Sequence, residues 1–202
     1  VFGDWSSDVC SSDLAIFERI GKIPDKPKTV YKKIINLLLE EWDEQKNIKR
    51  QSSYSSFEVD RKFEFLANLA YSLTTSNFNV SFTRKDLEHA YFKIYQDFDL
   101  DKNEVIKVVT ELESHTGLFV QAGYHQYEFA HKSLQEYLTA EYIVKLPIIP
   151  NQRGIIIRLP EELAIAVTIS SSPSAYFVEL VTNRFIPRSE EHTSELQSPN
   201  TI

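Results

Sequence analysis

Residues 127–143 read YEFAHKSLQEYLTAEYI, and the pattern changes character in the middle. Before His131 apolar and polar residues alternate with the period of a strand. After it, Leu134, Tyr137 and Leu138 recur at the spacing of one helix face. A histidine therefore stands on a predicted strand-to-helix junction, with a Lys-Ser-Leu-Gln-Glu run behind it.

Working outward, LFVQAGYHQYEFA (118–130) predicts two short strands around a turn at Ala122-Gly123. Upstream of it, Asp101 and Glu104 open a helix carrying Val105, Val108, Val109 and Leu112, which Gly117 ends. Before that, Thr83 with Asp86 three residues on makes a start like a capping box, for a helix showing Leu87, Ala90, Tyr91, Ile94, Tyr95 and Phe98. A further helix over 59–73 presents Phe63, Leu66, Ala67, Ala70 and Leu73, and TTSNFNVS (74–81) reads as a turn. Three helices, a hairpin and a closing helix are the order of a winged helix-turn-helix. The expected fold is mainly α, a winged helix with a small β-hairpin, flanked by helical segments.

On the N-terminal side, QKNIKRQSSYSS (45–56) is polar and Ser-rich and reads as a loop or boundary. From Thr29 a helix precedes it, with Val30, Ile34, Leu37 and Leu38 along one side and Tyr31, Ile35 and Trp42 beside them. GKIPDKPK (21–28) is a helix-breaking connector, and 15–20 reads as a helix end. Beyond Pro147 and Pro150, LPEELAIAVTIS and SAYFVELVTNRF begin two more amphipathic helices.

The two ends have a different origin. GDWSSDVCSSDL (3–14) and RSEEHTSELQS (188–198) match the two strands of one sequencing-library adapter read as codons, so 1–14 and 188–202 are set aside as adapter-like. The chain carries 22 basic and 29 acidic residues, net −7. One base and six acids lie in those ends, which leaves 21 against 23, or −2, over 15–187. A near-neutral segment implies no general affinity for nucleic acid or acidic lipid. The single cysteine, Cys10, also lies in the adapter-like end. Without thiols the interior fits a reducing compartment, and a cytoplasmic location is expected. No apolar run approaches the ~20 residues of a membrane span.

Chemistry-bearing motifs are sparse. The chain has no G-x-x-x-x-G-K-[ST] run to cradle a phosphate. Asp97, Asp99 and Asp101 have calcium-loop spacing, but Lys102 replaces the turn glycine and Val108 the bidentate glutamate. Those acids read better as a helix junction and cap. His89, His115, His125 and His131 show no zinc-ligand pairing. The candidate recognition helix, 102–115, sets Lys102 and Lys107 against Glu104, Glu111 and Glu113, a poor complement to DNA.

YEFAHKSLQEYLTAEY resembles the F-x-H-x-S-[FL]-Q-E-[YF]-x-A-A motif that ends the winged-helix domain of NACHT-family signalling NTPases, relatives of NOD-like receptors. IFERIGKIPDKPKTVYKKIINLLLEEWD resembles the segment after their ATPase core, and LPEELAIAVTISSSPSAYFVELV their following helical segment. Leu134 stands where Phe is commoner, and Thr139 where the family has Ala.

The resemblance implies a division into 15–45, the end of an ATPase-associated helical subdomain; 57–145, the winged helix; and 146–187, the start of a C-terminal helical region. It implies that His131 contacts the β-phosphate of bound ADP and that ATP exchange releases the contact. Such a fragment senses nucleotide state without catalysing alone. ADP or ATP, with Mg, would be bound by an upstream ATPase domain of the same chain, its Walker segments lying before Ala15. The parent would be a bacterial defence or signalling NTPase that forms a homo-oligomer on activation, with no specific nucleic-acid or membrane partner. Ser133 and Gln135 read as capping and packing groups, and Glu136 as a surface or interdomain salt-bridge residue. The alternatives are a winged-helix DNA-binding protein and a structural interaction domain.

Overall fold

The computed structural model describes residues 27–44, 52–77, 81–115, 117–149 and 157–182. The segments read as adapter-like, the expected helix end at 15–20, most of the 21–28 connector and the side chain of Trp42 lie outside the described residues.

Helix α1 (Pro27–Glu44) starts at a proline, where the missing N–H costs no helical hydrogen bond. Its buried line is Ile35 and Leu39, both fully enclosed, with Tyr31, Ile34 and Leu38 packed beside them. The sequence reading placed that line about one residue around the helix, on Val30, Ile34, Leu37 and Leu38. A single turn of 3-10 helix (Ser53–Ser56) follows, with Ser52 as its cap. This corrects the loop reading of 45–56, whose first seven residues lie outside the described part. Tyr54 is fully buried against Phe65 at 4.8 Å. Ser52 donates to buried Glu111, from N at 3.2 Å and from Oγ at 2.5 Å.

Helix α2 (Val59–Asn77) is the central rod of the core. Phe63, Phe65, Leu66, Leu69, Ala70 and Leu73 are all buried. It outruns the predicted end because Thr74, Thr75 and Ser76 hydroxyls donate to the carbonyls of Ala70, Tyr71 and Ser72, four residues back, at 2.8, 2.7 and 2.6 Å. Such back-bonding satisfies inside a helix the side chains that would otherwise favour a turn.

Strand β1 (Ser81–Thr83) leads into α3 (Arg84–Ile94) through the predicted capping box: the Thr83 hydroxyl accepts from Asp86 N–H, and the Asp86 carboxylate accepts from Thr83 N–H at 2.7 Å. A 3-10 turn (Tyr95–Phe98) ends at Asp99, left-handed at φ 55°. Asp101 caps a second one (Lys102–Glu104) by accepting from Asn103 N–H at 2.7 Å, and α4 (Val105–His115) continues it. The buried Tyr91 hydroxyl donates to the Asp101 carbonyl at 2.6 Å. Burial first, then Glu104, Asp101 and Tyr95, push its pKa up to about 12.

Strands β2 (Phe119–Gly123) and β3 (Gln126–Phe129) complete a three-stranded antiparallel sheet in the order β1-β3-β2. The sequence promised only the hairpin. β1 joins it by pairing Ser81, Phe82 and Thr83 with Glu128, Tyr127 and Gln126. Phe82, Phe119 and Phe129 meet edge-on beneath the sheet, at 4.8–5.8 Å between ring centroids. The turn lies at Tyr124-His125 rather than Ala122-Gly123, because the register shifts between Gln121 and Gly123 and His125 takes the left-handed conformation, φ 55°.

Helix α5 (Lys132–Lys145) packs most extensively on α2. Helices α6 (Pro160–Ile169) and α7 (Pro173–Leu180) form a second small core with it, through Ala140, Ile143, Ile149, Leu159, Leu163, Ala166 and Leu180. Among the described residues no helix is long and apolar enough to cross a membrane.

Candidate functional site

The junction predicted at His131 is present. β3 is the central strand: Glu128 pairs with Ser81 of β1, and Phe129 with Phe119 of β2. Phe129 is buried, and the next residue, Ala130, donates from N to the Leu118 carbonyl at 2.7 Å. His131 then takes an extended conformation, φ −138° and ψ 133°, and occupies the N-cap of α5. Its carbonyl accepts the first bond of the helix, from Leu134 N–H at 3.0 Å. Leu134 and Leu138 fix the helix in the core, being 3% and 0% exposed. The imidazole lies on the exposed side of this anchored backbone.

This N-terminus differs from its neighbours. α3 has a full capping box, and α6 and α7 carry proline in their first turn. α5 has no proline in its first turn, and His131 makes no side-chain cap hydrogen bond. The first N–H groups of a helix have no acceptor within it, and they carry the positive end of the helix dipole. An anion placed there meets aligned donors, and a histidine adds one directional N–H.

Gln135, Glu136 and Thr139 of the motif are buried. Gln135 is buried and donates from Nε2 to Thr74 Oγ1 at 3.0 Å. The Thr74 proton goes to the Ala70 carbonyl, so the buried Thr139 hydroxyl, 3.3 Å away, donates to Thr74 as well. The Gln135 packing role thus takes the form of a polar tie between α5 and α2. Thr139 does more than stand in for an alanine, since its buried hydroxyl has a partner. Ser133 is half-buried.

Glu136 corrects the surface reading. It is 8% exposed, it is bound by Lys132 Nζ at 2.7 Å, and it lies near buried Glu162 of α6. No helical period distinguishes it from an exposed position, because the covering comes from α6, a later segment of chain. Burial, with help from Glu136 and Glu161, raises the Glu162 carboxyl above its ordinary value, against its own backbone N–H and Lys132.

The other acidic candidates serve the fold. Asp99 pairs with Arg61 at 3.0 Å, and Asp101 is a cap. No metal-holding group of His, Cys, Asp or Glu occurs among the described residues. Over 102–115 the acids that weighed against DNA contact are engaged within the domain. Glu111 accepts from Ser52, Glu104 from Ser53, and Glu113 from Arg84 at 3.1 Å. Burial still raises the Glu113 carboxyl, outweighing Arg84 and the Tyr127 hydrogen bond. The exposed face of the turn and α4 together holds Lys102, Asn103, Ile106, Lys107 and Thr110, with Ile106 61% exposed.

No curated protein and no solved structure matches the chain. A family model does: that of the winged helix-turn-helix domain C-terminal to NACHT, over residues 28–143, more than half of the 202 residues. Helix order, the β1-β3-β2 sheet and the closing helix agree with that description. The chain belongs to the family of winged helix-turn-helix domains that lie C-terminal to NACHT.

Proposed function

We propose that this winged helix senses the nucleotide state of an ATPase domain on the same chain, and that His131 is the sensing residue. The observation that carries the reading is the N-terminus of α5: an exposed histidine at the N-cap of a strand-to-helix junction whose backbone is held by the Ala130–Leu118 hydrogen bond. A phosphate oxygen of ADP fits that place by charge and by geometry. Holding it would keep the two domains closed, and exchange for ATP would release them. In this reading nucleotide and Mg are bound chiefly by the upstream domain, the parent acts in signalling or defence in the cytoplasm, and the open state assembles with further copies.

The inward ties of Gln135, Thr139 and Glu136 support the reading, since they leave His131 and its neighbour Lys132 as the exposed residues at the start of the motif helix. DNA contact is the weaker reading. The outward face of 102–115 brings two lysines around an exposed isoleucine, and the wing residues 121–126 include no Lys or Arg. Counterion release from so few cations gives little affinity. The test is ADP retention by the parent protein carrying His131→Ala, with the melting temperature of the winged helix followed in parallel. Faster ADP loss from a folded domain supports the proposal, and unchanged retention refutes it.

A further inference from the structure

We propose that Lys132 holds the α6–α7 arm on the winged helix, as a latch that offsets the buried carboxylates Glu136 and Glu162 at their seam. Glu136 of α5 and Glu162 of α6 are both buried, at 8% and 7% exposure. They lie at the seam where Ala140 and Ile143 pack with Leu159, Leu163 and Ala166. Two carboxylates in one buried seam repel each other, and each loses hydration. Lys132 is the cation that offsets them: it binds Glu136 at 2.7 Å and acts on Glu161 and Glu162 across the seam. The groups acting on Glu162 are therefore Glu136 and Lys132 from α5 and Glu161 from α6 itself. The rise in the Glu162 carboxyl, caused first by burial, agrees with a seam short of positive charge.

Lys132 is also the accessible member, its side chain 60% exposed and one residue from His131. On the nucleotide reading, a phosphate at the α5 N-terminus would compete with Glu136 for this lysine and so loosen the arm. The latch itself does not need that step, and it is tested without nucleotide.

Amide hydrogen exchange of the whole 202-residue chain at neutral pH reads it. Lys132→Ala should speed exchange in α6 about three- to tenfold, because it removes a half-exposed cation and leaves two buried carboxylates facing. Core amides of α2 should keep their wild-type rates. Adding Glu162→Gln to Lys132→Ala should return α6 to within about twofold of wild type, since one of the facing charges is gone. The proposal is overturned if Lys132→Ala leaves α6 unchanged, if α2 loosens equally, or if the double variant exchanges as fast as Lys132→Ala. Because His131 is untouched and no nucleotide is present, failure here leaves the sensor reading standing, and success does not establish it.

Discussion

The Ala130 N–H donates to the Leu118 carbonyl at 2.7 Å, one residue before His131 caps α5. That bond ties the start of the helix to the wing. Buried Phe129 on one side and Leu134 on the other complete the hold. The histidine is positioned by its neighbours rather than by its own burial.

Stability should divide accordingly. Leu138, fully buried in the main core, should cost about 2–5 kcal/mol on substitution by alanine, from lost transfer energy and the residual cavity. His131→Ala, at an exposed cap without a side-chain cap bond, should stay within ~0.5 kcal/mol of wild type. Urea denaturation of the two variants separates these outcomes. Equal losses would make His131 a structural residue.

Thr74 is the acceptor shared by Gln135 and Thr139. Thr74→Val keeps the shape and strands two buried donors, so it should cost about 1–3 kcal/mol. Thr74→Ser retains the hydroxyl and should cost less. A valine variant as stable as wild type would show that the tie contributes nothing.

Glu162 sets a pH dependence. A carboxyl whose folded value lies above its unfolded value contributes stability below the unfolded value and loses it as pH rises through the folded one. Burial places Glu162 in that class, above the ordinary 4.5. Glu162→Gln mimics the protonated form. Its melting temperature should match wild type at about pH 4 and exceed it near pH 8. A variant that melts below wild type at the higher pH would mean that the ionised carboxylate, held by Lys132 and its own backbone N–H, is the favoured form.

Much of the fold is legible in the sequence because local chemistry and tertiary packing agree. The apolar stripe of α2, the Thr83–Asp86 box and the Val108, Val109 and Leu112 face of α4 all appear where the pattern puts them. Several misses come from long-range partners that override local preference. Residues 74–77 read as a turn and are helical, since the hydroxyls of Thr74, Thr75 and Ser76 bond back along α2 and Thr74 meets α5. β1 has three residues and acquires its strand character from β3. Tyr54 lies in a Ser-rich run and is buried by Phe65, while Ser52 is held by Glu111, 59 residues away. At the candidate site, the strand-to-helix change and the exposed histidine were legible. The burial of Glu136 was not, because α6, a later segment of chain, packs against α5.

The most direct measurement is the ADP affinity of the parent protein, ATPase domain included, with and without His131→Ala. Losing one donor to a charged phosphate oxygen should cost about 1.5–3 kcal/mol, roughly 10- to 150-fold in Kd. The winged helix should melt where the wild type does, and the variant should populate the open state without a trigger. An ADP affinity unchanged in a folded His131→Ala protein would contradict the account and leave His131 as a surface cap.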